Sequence, residues 1–106
     1  MRNIIKKINS WAEQRNLKTG NGFKQLEKLD EEVGELRDAI ELCLGLSDDK
    51  LQVLNTEIVD AIGDIQVVLI VMCQQLGIDY DCCLKIAYNE IKGRTGKTVD
   101  GIFVKD

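Results

Sequence analysis

Residues 57–76 read EIVDAIGDIQVVLIVMCQQL, and this stretch decides the fold. Its first half mixes acidic and apolar residues at helical spacing, whereas residues 65–73 are apolar nearly all round. A helix without a polar face is buried at the centre of a bundle or at a subunit interface. Gln66 interrupts the apolar run, which is too short to span a bilayer. We therefore predict a central helix over about residues 50–76, ended by Gly77.

Amphipathic stretches flank this helix. Apolar residues recur at helical spacing over about residues 3–15, 23–44 and 80–92, with Asp79 as a cap, and the absence of Pro fits uninterrupted helices. The inward residues expected on the first two helices are Ile4, Ile5, Ile8, Trp11, Ala12, Leu26, Leu29, Val33, Leu36, Ile40 and Leu44. Those expected on the last helix are Cys83, Leu84, Ile86, Ala87 and Ile91. The prediction is one all-α domain, residues 1–106: a four-helix bundle-like subunit with a short extended or hairpin tail over residues 93–106.

The net charge of −4 hides an uneven distribution along the chain. Residues 1–24 hold six basic side chains and one acid, residues 25–81 fourteen acids and three bases, and residues 82–106 five bases and three acids. An acidic middle between basic ends argues against nucleic-acid binding, which needs a continuous basic face, and suits a metal site beside a phosphate site. Because the chain has no His, His-dependent triads and zinc sites are excluded.

The four cysteines show no C-x-x-C spacing. Cys43, Cys73 and Cys83 stand among apolar neighbours, so we expect buried, reduced thiols there, and Cys82 completes the set. The basic first residues lack a sustained apolar segment of the kind that signal peptides carry. These features predict a cytoplasmic protein that does not bind membranes.

Two helices each carry a strip of acids beside an apolar stripe. At about 100° per residue, Glu32 and Glu35 lie within about 60° of each other, and Glu57, Asp60 and Asp64 share a similar sector of the central helix. Carboxylates clustered near a core repel one another unless a cation neutralises them. A site made of oxygen ligands alone favours Mg²⁺ or Mn²⁺ over zinc or copper. Ordinary solvated acidic faces are the alternative, and the residues alone leave both open.

Gly34 and Gly63 lie inside the predicted helices next to these acids. A glycine within a helix costs about 1 kcal/mol relative to Ala. We therefore expect a close helix approach around a site, with tight packing and no site as the alternative.

Several segments resemble the MazG-like all-α nucleoside triphosphate pyrophosphohydrolases. Residues 29–36, LDEEVGEL, resemble the family's E-E-x-x-E motif in its E-E-x-G-E-L form. Residues 60–65, DAIGDI, resemble the second motif, E-x-x-D around a G-D pair, and residues 57–60, EIVD, match E-x-x-D literally. Residues 89–97, NEIKGRTGK, are similar to the N-x-x-K-x-R segment, and residues 11–15, WAEQR, resemble the usual first helix. The resemblance covers about residues 4–104.

The resemblance implies Glu32, Glu35 and Asp64 as Mg²⁺ ligands, with Mn²⁺ as a substitute. Ala61 stands where the G-D form usually has an acid, so Glu57 or Asp60 on the same face would supply the missing carboxylate. Glu31 belongs to the motif but lies towards its flank.

The implied reaction converts a (deoxy)nucleoside triphosphate and water into the monophosphate and pyrophosphate, with Glu35 or Glu32 accepting the proton of the attacking water. A role in cleansing the nucleotide pool would fit this activity. The substrate-binding candidates are Asn89, Lys92, Arg94, Lys97, Lys28 and Trp11. A solvated helix end is the alternative for the basic residues, and a core position is the alternative for Trp11.

The resemblance also implies a homodimer or homotetramer, with substrate groups shared between subunits. Ala61 is the main support for a different interpretation, a non-catalytic helical interaction or regulatory module. A related deoxyuridine triphosphatase or phosphoribosyl-ATP pyrophosphohydrolase is a further alternative.

Overall fold

Helices account for most of the chain in the computed structural model, which describes residues 2–43 and 48–106, with side-chain surroundings for residues 3–43 and 55–106. The elements are α1 (Arg2–Gln14), a 3-10 turn (Leu17–Thr19), α2 (Phe23–Cys43), α3 (Asp48–Leu76), α4 (Tyr80–Ile91), β1 (Gly96–Val99) and β2 (Ile102–Lys105). The predicted all-α class with four helices is confirmed, and the predicted helix bounds hold to within two residues. The expected end of the second helix, at Leu44 and Gly45, lies outside the described residues.

The long helix α3 is the centre of the fold, since both α2 and α1 pack against it. The buried apolar side chains come from all three helices: Ile5, Ala12, Ala39, Ala61, Val68, Ile70 and Val71. Three of them belong to the apolar stretch 65–73, whose other apolar members are half-buried. The prediction that this stretch is central is therefore correct, but a single chain does not enclose it.

Two adjacent glutamines attach α1 and the following turn to the end of α3. Gln74 Nε2 donates to the carbonyl of Asn9 at 3.0 Å, and Gln75 Nε2 donates to that of Leu17 at 2.7 Å. Gly22 then opens α2 with φ +93°, and a Cβ there would meet Leu76 Cδ2 at 3.2 Å. These contacts fix where α2 begins relative to α3.

A short corner separates α3 from α4. Gly77 adopts φ +71° after the end of α3, and the Asp79 side chain accepts the backbone N–H of Asp81, as predicted for a cap. The tail is the predicted hairpin, with Gly96 paired with Lys105 and Val99 with Ile102. Its connecting residues Asp100 and Gly101 both have positive φ, as a two-residue type I′ turn requires.

We call α4 and the hairpin, residues 80–105, the C-terminal arm. Helix α4 has no buried residue, and both strands are exposed along their whole length. The expectation that Cys83, Leu84, Ile86, Ala87 and Ile91 face inward is therefore wrong for one chain. The reason is geometric, because α4 packs mainly against α3, and its apolar side chains remain exposed in the described part of the chain.

Helix α2 also differs from its predicted orientation. Leu26, Val33 and Ile40 are each 37–48% exposed, whereas Glu32 and Ala39 are buried. On α1, Ile4 and Trp11 are likewise exposed.

The predicted close helix approach at the two glycines is not observed, because a Cβ on Gly34 or Gly63 would meet no atom of the described residues within 4 Å. These glycines therefore do not serve a close approach within the chain. Their cost in helix propensity is left without an intrachain explanation.

The total surface area shows how extended the single chain is. The chain exposes 8257 Å², whereas a compact monomer of 11.9 kDa exposes about 6,000 Å². Its radius of gyration is 16.7 Å, against about 13 Å for a compact domain of this length. No helix within the described ranges has the length and apolar character that a membrane crossing demands.

Candidate functional site

An acidic hollow of about 240 Å³ lies between α2 and α3. The residues that line it are Glu35, Ala39, Glu57, Asp60, Ala61 and Asp64. On α3 the acids recur at intervals of three and four residues, which places them on one face towards α2. The structure thus brings together four of the five predicted carboxylates.

The fifth carboxylate, Glu32, is buried beside the acidic hollow with only 6% of its surface exposed. Its Oε1 atom lies 3.2 Å from Lys28 Nζ, while its Oε2 atom has no hydrogen-bond partner among the described residues. A buried charged oxygen without a partner is costly. Glu32 therefore retains an unused acceptor next to the hollow.

Glu35 connects Glu32 to the hollow, one helical turn further along α2. The Glu32 charge is the largest cause that raises the pKa of Glu35, followed by lost hydration, and the Asp64 charge contributes less. The hydrogen bond to Glu32, and then its charge, raises the pKa of Lys28. The paired carboxyl groups thus form a strongly negative centre that Lys28 offsets on one side only.

This donor set fits Mg²⁺ or Mn²⁺. All its donors are carboxylate oxygens, and the unpartnered Glu32 oxygen and the contact between like charges would both be relieved by a divalent cation. Within the part of the chain whose side chains are described, no three acidic or thiol groups are already assembled around one ion position. Because Glu35, Glu57, Asp60 and Asp64 are exposed, their side chains are free to turn towards an ion.

Ala61 occupies the point where an acid is expected from the resemblance. It is 7% exposed and lines the hollow together with Ala39 of α2. The departure from the motif thus leaves space in the hollow. Glu57 and Asp60 both line that space, so both stay candidates for the missing ligand.

The predicted substrate-binding residues near the carboxyl end of the chain lie away from the acidic hollow. Asn89 stands near the end of α4, Lys92 and Arg94 follow that helix, and Lys97 is in β1; all four are exposed. Arg94 pairs with Glu90 at 3.7 Å. None of the four is among the residues that line the acidic hollow. Among the predicted phosphate-binding residues, one chain therefore brings Lys28 to the predicted metal-binding residues but not the four residues of the arm.

Trp11 lies in an apolar groove between α1 and α3, of about 380 Å³. Arg15 stacks over the indole at 4.5 Å from the ring centroid, and Trp11 is 42% exposed, which corrects its predicted core position. The α3 wall of the groove is Val67. Since Val67 follows Asp64 by three residues, the groove lies one helical turn from the acidic hollow.

The expected burial of Cys43, Cys73 and Cys83 is not observed in full. Cys43 and Cys73 are half-buried, whereas Cys82 and Cys83 are exposed. The expected burial of Cys83 is wrong because α4 packs only at its beginning.

Sequence reasoning missed two features of the site. Ala39 lines the hollow, and its position four residues after Glu35 could have indicated this. Gln74 and Gln75, which position α1, carry no signal that distinguishes them from surface glutamines.

The sequence profile of the family described as phosphoribosyl-ATP pyrophosphohydrolase matches residues 2–90. The match includes both acid motifs and Asn89 but ends before Lys92. An uncharacterized 18.2 kDa protein from the rep-hol intergenic region of Haemophilus phage HP1 (strain HP1c1) is 39% identical over 80 residues. That alignment covers 74% of this chain and 43% of the phage protein, so the chain matches less than half of its relative. No solved structure is significantly similar to the chain.

Proposed function

This chain belongs to the phosphoribosyl-ATP pyrophosphohydrolase family, within the MazG-like all-α nucleoside triphosphate pyrophosphohydrolase superfamily, and we propose that it hydrolyses a nucleoside triphosphate to the monophosphate and pyrophosphate. Removal of unwanted nucleotides from the pool is the role that we propose for this reaction. The acidic hollow carries the proposal, because it joins acids from both motifs beside a buried Glu32 oxygen that has no partner among the described residues. Members of the family generally use Mg²⁺.

In this proposal Glu32, Glu35 and Asp64 hold the cation. Glu57 or Asp60 supplies the carboxylate that Ala61 lacks, since both line the same hollow. The bound cation supplies charge neutralisation at the phosphate oxygens.

The proton of the attacking water passes to a carboxylate, for which Glu35 is the better candidate. Glu35 is exposed and lines the hollow, whereas Glu32 is buried. The water oxygen bonds to phosphorus, the bond to the pyrophosphate oxygen breaks, and Glu35 takes the proton.

Charge on the transferred phosphate requires cationic side chains. Lys28 stands at the edge of the site, 3.2 Å from Glu32 and exposed to solvent, so it can turn towards a phosphate. The other substrate-binding candidates belong to the C-terminal arm: Asn89, Lys92, Arg94 and Lys97.

We propose that a second copy of the chain brings these arm residues to the hollow. The exposed apolar arm and the excess surface of about 2,000 Å² support this proposal, since stable homodimers bury surfaces of that size. A homodimer or homotetramer would thus complete the site.

The Trp11 groove is our candidate for the base. It is apolar, has Lys7 at its edge, and lies one turn from Asp64. A base stacked there would have its phosphates directed towards the acids.

The substrate of the proposed reaction is a (deoxy)nucleoside triphosphate. Phosphoribosyl-ATP is the second candidate, because the matching family carries that name. Deoxyuridine triphosphate is a further candidate substrate. The alternative to catalysis as a whole is a helical interaction or regulatory module.

A pyrophosphate-release assay with Mg²⁺ and a panel of nucleotides, including phosphoribosyl-ATP, tests the proposal. Release from at least one substrate is expected, and Glu35→Gln and Asp64→Asn should each abolish it. Glu27→Gln is the matched control, because Glu27 is an exposed α2 acid paired with Lys24. Background rates for every substrate, or activity that survives both site variants, would refute the proposed function.

A further inference from the structure

The hairpin of the C-terminal arm packs mainly against itself. Its extensive contacts in the described part of the chain are those between β1 and β2, and every residue of both strands is exposed. A two-stranded hairpin is at best marginally stable alone in water, whereas a further strand or a covering helix stabilises it. The hairpin is therefore an incomplete sheet.

The register of the hairpin decides which backbone groups point away from it. Val99 and Ile102 flank the two-residue turn, so they form a hydrogen-bonded pair. At the open end of the hairpin, Asp106 N–H donates to the Thr95 carbonyl at 3.1 Å, which continues the alternation of an antiparallel ladder. The intervening positions therefore direct their backbone N–H and C=O groups outwards: Gly96 and Thr98 on β1, and Phe103 and Lys105 on β2.

The two edges of the hairpin differ in composition. On β2, residues 102–104 are β-branched or aromatic, and the one charged residue, Lys105, is the last of the strand. Such residues favour strand pairing. On β1, Gly96 and Lys97 come first, and both residue types are depleted in strands. The edge of β2 is therefore the better template for an added strand.

One face of the hairpin is also apolar and uncovered. Ile102 is 68% exposed, and Val99 and Val104 are each 50% exposed. The three side chains share a face, because Val99 lies opposite Ile102 and Val104 follows two residues later. If the outward groups of β2 meet those of an identical strand, the apolar strips of both hairpins lie on the same side of the joined sheet.

We propose that the β2 strands of two copies of this chain pair antiparallel, edge to edge, so that the two hairpins form one four-stranded sheet across a two-fold axis. This inference rests on the proposal that a second copy completes the site, and it names the surface through which that copy binds. The excess surface of about 2,000 Å² is of the size that a stable homodimer buries. The pairing gives the outward groups of Phe103 and Lys105 hydrogen-bond partners.

Hydrogen exchange of backbone amides, followed by NMR on the full chain, tests the pairing. At concentrations where the chain self-associates, the Phe103 and Lys105 amides should exchange more slowly than in dilute protein, because each donates to the partner strand. The Thr98 amide is the internal control, since it points outwards from β1 and should exchange rapidly at both concentrations. Equal protection of Thr98 and Phe103, or rapid exchange at Phe103 in the associated chain, would overturn the inference.

Proline substitutions separate the two edges. Phe103→Pro removes an outward N–H but no hydrogen bond within the hairpin. It should raise the dissociation constant of self-association by about tenfold or more, because each copy loses one hydrogen bond to its partner. Thr98→Pro is the matched control on the β1 edge and should associate as the wild type does. Phe103→Leu keeps the N–H and an apolar side chain, so it should also associate normally.

Analytical ultracentrifugation over a range of concentrations gives these dissociation constants. Unchanged association of Phe103→Pro, or equal weakening by Thr98→Pro or Phe103→Leu, would contradict pairing through the β2 backbone. A monomeric wild type would contradict it as well. These measurements use no nucleotide or metal, so pyrophosphate release by the wild type tests the proposed reaction separately.

Discussion

Lys28 Nζ lies 3.2 Å from the buried Oε1 of Glu32 and 3.7 Å from the exposed Oε2 of Glu31. The lysine thus provides a positive charge on one side of a carboxylate whose other oxygen has no partner among the described residues. A cation that enters the acidic hollow would occupy the opposite side. We therefore expect the stability of the protein to depend on Lys28 and, if the hollow binds the proposed cation, on Mg²⁺.

Replacing Lys28 with Met should lower the melting temperature of the metal-free protein, because Glu32 loses its neighbouring cation. Saturating Mg²⁺ should then raise the melting temperature more than it does in the wild type. Thermal unfolding with and without Mg²⁺ measures both effects. Lys24→Met removes an exposed α2 pair with Glu27 and should change little. Equal shifts in the two variants would contradict the assigned role of Lys28.

Glu35→Gln should separate stability from function. It should lower turnover by about 100-fold or more, as expected for loss of a group that acts in the transition state. The metal-free variant should be more stable than the wild type at neutral pH, because the Gln removes repulsion with Glu32.

The raised pKa of Glu35 sets the direction in which stability depends on pH. Its contribution to stability is present below the unfolded-state pKa and is lost as the pH rises through the folded-state pKa. As the pH rises through this acidic range, the metal-free wild type should therefore lose stability, and Glu35→Gln should lose less. Denaturant titrations at several pH values measure the difference, and parallel pH profiles would count against the Glu32–Glu35 contact.

Ala61→Glu should strengthen Mg²⁺ binding, by about tenfold, because it adds a carboxylate to the hollow. Without Mg²⁺ the same change should lower stability, since it places another acid beside Glu35 and Asp64. Isothermal titration calorimetry measures the affinity. Ala61→Gln, which has the same size and no charge, should not strengthen binding; similar affinities for Glu and Gln would exclude a ligand at this position.

Leu84→Glu or Phe103→Asp should reduce self-association, because both residues are about half exposed on the arm of a single chain. Light scattering over a range of concentrations measures the loss. A chain that is monomeric without any substitution would contradict the proposal.

Mixing two inactive variants tests whether subunits share the site. A Glu35→Gln chain mixed with a Lys92→Ala/Arg94→Ala chain should recover part of the wild-type rate through mixed oligomers. The two variants assayed separately are the controls. No recovery after verified subunit exchange would place the basic segment and the acids in the same chain.

Cys73 should react slowly with alkylating reagents at neutral pH. Burial is the main cause that raises its pKa, with Cys83 and Asp79 adding to it. Other charged groups line the same cleft: Lys6, Glu13, Lys18 and Asp81. The alkylation rate of Cys73 should reach its plateau at a higher pH than the rate of a free thiol does. Peptide mass spectrometry at a series of pH values measures this rate. A plateau at the same pH as for a free thiol, or at a lower pH, would contradict the assigned environment.

Helical periodicity predicts the four helices because their apolar residues recur every three to four positions. The same pattern predicts the acidic hollow, since Glu35 and Asp64 each lie on the face that meets the neighbouring helix. Burial is predicted less well. Leu84 and Ile91 have the pattern of core residues, but nothing in the sequence distinguishes a core within one chain from a surface between chains.

The exposure of Trp11 also escapes sequence reasoning. Its position on α1 fits both a core and a binding groove, and only the packing of α1 against α3 decides between them.

The exposed arm has a consequence for truncation. The buried apolar side chains of the described residues all precede position 72, so the arm supplies none of them. A chain shortened before Tyr80 should therefore keep the packing of α1, α2 and α3 while it loses much exposed apolar surface.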